Sequence, residues 1–269
     1  MKKTPFENTG FWALILGGSS GMGFATAQKL AKEGMNICVV YRDRRSALLT
    51  IEESFATIRK TGVKFISLNV NALQEEGMEK VMSEIGHHFA PGEKIRLLLH
   101  SLSRGNLNPL AALSSEKNAT LSEDDFRQTI YAMAVSLLTW TRKCISLSLF
   151  APDARVLGFT SEGNQRVWPG YAAVSAAKVT LESLMRSMAV EFAPLGIRTN
   201  LIQAGITDTP SLRMIPGNED LRKKTESRNP FRRLTRPEDV ADVVYLLCLD
   251  EAAWINGAII PVDGGEKLL

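Results

Sequence analysis

Cysteine is scarce in this chain. Cys38, Cys144 and Cys248 are an odd three, each inside an apolar stretch. That excludes a disulfide framework and reads as buried free thiols in a reducing, cytoplasmic setting. Long apolar runs are missing too: none approaches the roughly 18 residues of a membrane-spanning helix. The run after Met1-Lys2-Lys3, residues 11–16, falls short of the roughly 7–15 apolar residues of a secretory leader. Net charge is small, with 32 Lys and Arg against 29 Asp and Glu, or +3. That balance gives no argument for nucleic acid. No linker, repeat or low-complexity segment interrupts the 269 residues, so they are read as one domain. With 45% hydrophobic and 23% charged residues the composition is that of a globular protein, not a disordered one.

What is present is an alternation of short apolar runs with longer amphipathic ones. Strands are predicted near 11–16, 36–40, 63–68, 95–100, 154–160, 196–202 and 257–262. Helices are predicted near 21–33, 45–60, 74–85, 122–149, 171–193 and 236–249. The strands are nearly continuous hydrophobics, which suits a parallel sheet covered on both faces. The regular alternation predicts an α/β fold: a doubly wound, Rossmann-type parallel sheet of about seven strands with right-handed crossovers. Two connections, 101–121 and 203–235, are long, and long loops after strand ends in such sheets carry function.

The first strand runs into Gly17-Gly18-Ser19-Ser20-Gly21-Met22-Gly23 and then a helix. Glycines let the backbone turn tightly and approach a pyrophosphate, and the helix start offers free N–H groups. Strand, glycine turn and helix in that order point to a dinucleotide; the alternative is a plain tight turn. At the end of strand two, where NAD-binding chains hold an acid, stand Tyr41 and Arg42, then Asp43, Arg44 and Arg45. A guanidinium suits a ribose 2′-phosphate, which favours NADPH over NADH. The alternative leaves Arg42 and Arg44 in solvent and gives the ribose to Asp43.

Tyr171 and Lys178 open a predicted helix seven residues apart, on one face and two turns from each other. A nearby ammonium favours the phenolate and strengthens the phenol as an acid. Taken alone, the pair also fits a packed tyrosine and a solvated lysine.

With these features the chain resembles the short-chain dehydrogenase/reductase superfamily over nearly its full length. The resemblance rests on Gly17-x3-Gly21-x-Gly23, the Tyr171/Lys178 helix, Ile197-Arg198-Thr199-Asn200, Ala204-Gly205 with Thr209, and Val262-Asp263-Gly264-Gly265. Most members carry Tyr-x3-Lys, but here the residue four before Lys178 is Val174, which is no acid. Tyr-x6-Lys resembles the enoyl-acyl-carrier-protein reductase branch. The spacing has a chemical reason. In a ketone the carbon that takes hydride bears the oxygen that needs a proton. In an enoyl thioester, hydride goes to the β-carbon and charge develops on the distant carbonyl oxygen. Moving the phenol back three residues shifts it about 4.5 Å along the helix, toward where that charge develops. The glycine pattern with Tyr-x6-Lys is most similar to the third, NADPH-using type of that reductase.

The resemblance implies a nucleotide site made of Gly17, Ser19, Ser20, Gly21, Met22, Gly23, Tyr41, Arg42, Asn69, Val70, His100, Ser101, Leu102, Lys178, Gly205, Thr207 and Thr209, with no metal. His100-Ser101-Leu102 resembles enoyl reductases where ketoreductases read Asn-Asn-Ala. Asn69-Val70 stands for the usual Asp-Val at adenine, and Tyr131 stands where a helix Asn is expected. Ser161, 17 residues before Lys178, sits at the ketoreductase serine position, where enoyl reductases often have an aromatic. It is read either as binding the thioester carbonyl or as finishing the turn after strand five.

Residues 205–235 are expected to form a lid over substrate. Residues 210–236 carry eight Lys and Arg against three acids, an excess of five, which leaves minus two for the rest of the chain. Leu212, Met214, Ile215, Leu221 and Phe231 are candidates to line an acyl pocket. The basic excess suits an acidic acyl carrier protein or the phosphates of coenzyme A; the alternative is an ordinary solvated helix. The sequence therefore predicts Tyr171, Lys178 and Ser161 as catalytic residues of an NADPH-dependent enoyl thioester reductase of fatty acid synthesis, a homotetramer like its family. The rivals are a carbonyl, 3-oxoacyl or hydroxysteroid-type reductase, and a nucleotide-binding regulator without turnover.

Overall fold

The computed structural model describes residues 4–112, 120–213 and 217–269. Seven parallel strands form one sheet in the order β3-β2-β1-β4-β5-β6-β7. They are β1 (Phe11–Leu16), β2 (Asn36–Tyr41), β3 (Phe65–Asn69), β4 (Lys94–His100), β5 (Phe150–Thr160), β6 (Ile197–Ala204) and β7 (Ile259–Val262). The helices are α1 (Gly21–Lys32), α2 (Leu48–Arg59), α3 (Glu75–His88), α4 (Glu123–Ile130), α5 (Ser136–Ser146), α6 (Ala172–Glu191), α7 (Pro210–Arg213), α8 (Asn218–Arg228) and α9 (Pro237–Cys248). No helix among the described residues is long and apolar enough to cross a membrane.

Each strand alternates between two cores, which is why its sequence reads as one apolar run. Ala13 and Ile15 of β1 join Ile37, Val39, Phe55 and Val244 on the face covered by α1, α2 and α9. Trp12, Leu14 and Leu16 join Val81, Trp140 and Met185 on the face covered by α3, α5 and α6. The strand order reverses between β1 and β4, and the carboxyl ends of these strands open there into a crevice, the expected ligand site of such sheets.

Three departures from the sequence reading have physical causes. The helix predicted over 122–149 is broken by a π-helical turn, Tyr131–Val135, between α4 and α5. The helix α8 was hidden in a predicted long connection because it is polar all round and shows no apolar stripe. The strands also bury charge. Arg96 of β4 and Arg155 of β5 are 2% and 1% exposed. They donate to the carbonyls of Leu247, Cys248 and Leu249 at the end of α9, at 2.7–3.2 Å. Both also pair with Asp153, at 2.8 and 2.6 Å, and Arg198 joins the same carboxylate. The arginines satisfy orphan carbonyls and oppose the negative end of the helix.

Candidate active site

The glycine turn is forced by close approach. Gly17 has φ 86°, and a Cβ there would fall 2.5 Å from the carbonyl oxygen of Ser101. Gly23 lies below the turn, where a Cβ would fall 2.1 Å from the oxygen of Gly17. It makes the packing that brings α1 onto the turn and does not itself line the cleft. Ser20, the N-cap of α1, makes no side-chain cap, and the first turn carries no acid. The helix start is left open to an anion.

A cleft of about 810 Å³ extends from this turn. Of the predicted residues, Gly17, Ser19, Ser20, Gly21, Met22, Tyr41, Arg42, Val70, His100, Ser101, Leu102, Ser161, Tyr171, Lys178, Gly205, Thr207 and Thr209 line it. Asn69 does not. Its Oδ1 accepts from Asp43 N at 3.0 Å and its Nδ2 donates to Asp43 O at 3.1 Å, so its amide braces the loop after β2. Asp43 is braced a second time by Ser19 Oγ, which donates to Oδ2 at 2.7 Å. Arg42 is exposed on the cleft wall and pairs with no acid among the described residues. The braced Asp43 and the exposed Arg42 both line this end of the cleft, so it presents one charge of each sign.

At the other end of the cleft stand Tyr171 and Lys178. Tyr171 caps α6, and the Trp168 ring meets it edge-on at 5.5 Å. Lys178 is buried, and its Nζ donates to Phe159 O at 2.7 Å. Burial pulls the ammonium down to about 8, against the field of Glu182 one turn further on. The expectation that Lys178 strengthens the phenol as an acid is not met. Burial pushes the Tyr171 pKa up, and the group that opposes the rise is the neighbouring Ser161. A phenol held protonated is a hydrogen-bond donor at neutral pH. Ser161 Oγ lies beside it, buried and with no hydrogen-bond partner among the described residues.

His100 touches the cleft but turns its ring inward. Ser136 Oγ donates to Ala132 O in the π-helical turn at 3.0 Å, so the ring donates Nε2–H to Ser136 Oγ at 2.7 Å. Burial first, then the charge of Lys178, depress its pKa to about 3, so the ring is neutral. Tyr131 is exposed, while Met133 of the same turn lines the cleft. Val174 also lines the cleft and packs on Ala132 and Met133.

The lid is partly as expected. Leu212 and Leu221 line the cleft. Phe231 does not; it is 73% exposed. Met214 and Ile215 lie outside the described residues. Four of the eight basic residues of 210–236 are paired with acids outside that stretch. Asp208 pairs with Arg213 and Arg222, Asp239 with Arg233, and Glu162 and Glu266 with Arg228. These acids, with Glu182 and Trp168, were not among the residues expected at the site. Glu182 left a local signal, one turn beyond Lys178 on the same helix, and so did Trp168, three residues before Tyr171.

A family model described as Enoyl-(Acyl carrier protein) reductase matches residues 17–267. A 1-cyclohexenylcarbonyl-CoA reductase of Streptomyces collinus is 28% identical over 96% of this chain and 87% of its own. A tropinone reductase homolog of Arabidopsis thaliana is 27% identical over 98% of this chain and 93% of its own. Among solved structures, an enoyl-[acyl-carrier-protein] reductase (NADH) of Aquifex aeolicus VF5 superposes with a TM-score of 0.82 at 22% identity, over 98% of both chains, and so shares the fold. With the glycine cradle, the switch-point cleft and the Tyr171/Lys178 pair in place, the chain belongs to the short-chain dehydrogenase/reductase superfamily of oxidoreductases.

Proposed function

We propose that the protein is an NADPH-dependent enoyl thioester reductase that acts on acyl groups carried by acyl carrier protein or coenzyme A. One observation carries this reading. Tyr171 stands seven residues before Lys178, while Val174, four before it, presents hydrocarbon to the same cleft. The name of the Streptomyces collinus relative, which denotes an unsaturated thioester, supports it.

When bound, the reduced nicotinamide supplies hydride for the β-carbon. The open start of α1 holds the pyrophosphate, and Arg42 takes the 2′-phosphate. Lys178 binds the nicotinamide ribose and keeps positive charge near the reacting oxygen. Tyr171 donates its phenolic proton as a hydrogen bond to the thioester oxygen as that oxygen becomes negative. Leu102, Met133, Leu212 and Leu221 give the acyl chain an apolar wall.

A carbonyl reductase is the second reading, favoured by the unpartnered Ser161 Oγ beside Tyr171. Initial rates with crotonyl and octenoyl thioesters, set against β-ketoacyl thioesters, separate the two. The enoyl substrates are expected to be faster, and preference for the keto substrate would sink the proposal. In the same assay Arg42→Ala should raise the NADPH KM about tenfold or more, the cost of one charge-assisted hydrogen bond, and leave NADH nearly unaffected. An unchanged ratio of the two nucleotides would move the 2′-phosphate site elsewhere.

The Lys178 pKa also sets a pH dependence. The ammonium is the working form, so kcat/KM should fall as pH rises through about 8. Stability moves the other way. The folded pKa lies below the ordinary 10.5, so the folded state binds fewer protons between about 8 and 10.5. This residue's contribution to unfolding free energy therefore rises across that window. A pH–rate profile flat to pH 10 would contradict the assignment.

A further inference from the structure

Arg228, at the end of α8, meets two carboxylates with one nitrogen. Its Nη2 lies 2.6 Å from Glu162 Oε1 and 2.7 Å from Glu266 Oε1. Both acids are buried, their side chains 9% and 1% exposed. They lie 66 and 38 positions away in the chain, in the turn after β5 and the turn after β7.

Each acid is tied to a different wall of the cleft. Glu266 Oε2 accepts the N–H of Ile206 at 3.2 Å, in the loop after β6 whose residues Gly205, Ile206 and Thr207 line the cleft. Glu162 directly follows Ser161 and lines the cleft itself. The next residue, Gly163, lies so close under the Tyr171 ring that a Cβ there would fall 2.6 Å from Cε1. Arg166 reaches the far oxygen of Glu162 at 3.6 Å. Two buried carboxylates at this separation repel unless a cation stands between them. A forked guanidinium with several donors is suited to bridge them, where an ammonium acts as a point charge.

We propose that Arg228 is a positioning residue. It fixes the Ser161–Gly163 turn under Tyr171 and the Gly205–Thr207 wall of the nucleotide cleft relative to one another, and it ties both to the lid helix α8. This goes beyond the enoyl reading and does not depend on which substrate is reduced.

The test uses the full chain in five forms: wild type, Arg228→Met, Arg228→Lys, the triple variant Glu162→Gln/Arg228→Met/Glu266→Gln, and Arg127→Met. Arg127, an exposed arginine of α4 paired with Asp124, is the control. Each form is measured for Tm, for NADPH Kd by intrinsic fluorescence, and for kcat with the better of a crotonyl or a β-ketoacyl thioester. Arg228→Met should lower Tm, weaken NADPH binding and cost about 10- to 100-fold in kcat, as small misplacements of reacting groups do. The triple variant, free of stranded charges, should regain Tm but not kcat or Kd. Arg228→Lys should regain part of kcat and Kd, and Arg127→Met should match wild type. Recovery of kcat and Kd along with Tm in the triple variant would overturn the proposal, because the cluster would then serve stability alone. Wild-type kcat and Kd in Arg228→Met would overturn it as well. The nucleotide-binding measurement reads the proposal even if neither thioester is turned over.

Discussion

Tyr171→Phe is expected to lower kcat about 100- to 1000-fold, the usual cost of removing one donor to a developing oxyanion. It should leave the NADPH Kd within about twofold, since the loss falls on the transition state and not on ground-state binding. The substitution is clean. Phenylalanine keeps the edge contact with Trp168 and the packing over the Ser161–Gly163 turn, and it removes one hydroxyl. Among the described residues that hydroxyl makes no hydrogen bond, and Ser161 Oγ is its polar neighbour. Steady-state kinetics with a crotonyl thioester and a fluorescence titration of NADPH read the two quantities separately. Full turnover in the variant would exclude Tyr171 as the key donor. An equal loss in kcat and in nucleotide affinity would instead make the residue part of the cofactor wall.

Gly23→Ala should abolish measurable NADPH binding although Gly23 does not line the cleft. The new methyl would fall 2.1 Å from Gly17 O and 3.0 Å from Gly17 C. Both are backbone atoms, so no side chain can rotate away, and either α1 retreats or the turn opens. Overpacking of this kind costs about 1–3 kcal/mol. Here the distortion falls on the uncapped start of α1, the proposed pyrophosphate site. Calorimetric titration with NADPH and a thermal melt check the two consequences, lost binding and a lowered Tm. Wild-type affinity in a normally stable variant would show that the turn has slack and that the cradle is formed elsewhere.

The sequence determined what short-range pattern can encode. Burial on both faces writes a strand as a continuous apolar run, so seven strands and their parallel arrangement were legible, with boundaries off by a few residues. The glycine turn and the Tyr171/Lys178 pair each lie within seven residues or so, and local spacing sufficed to place them on one turn and one helix face. Polar elements were harder. Helix α8 is held by Arg228 and Asp208 pairs, not by an apolar stripe, so periodicity had nothing to register. Arg96 and Arg155 interrupt strands for the sake of carbonyls about 90 to 150 residues away.

Tertiary structure alone decided the electrostatics. Lys178 and Tyr171 share a helix face, but burial moves the phenol the opposite way from the sequence expectation, and Lys178 Nζ donates to Phe159 O. Asn69 was expected at the base and instead braces Asp43. The excess of five positive charges over 210–236, plain in the sequence, is offset by Asp208 and Asp239 just beyond its ends and by the distant Glu162 and Glu266. Spacing fixes which groups can share a turn. Burial and the partner brought from far along the chain fix which form each group takes, and no local pattern carries that information.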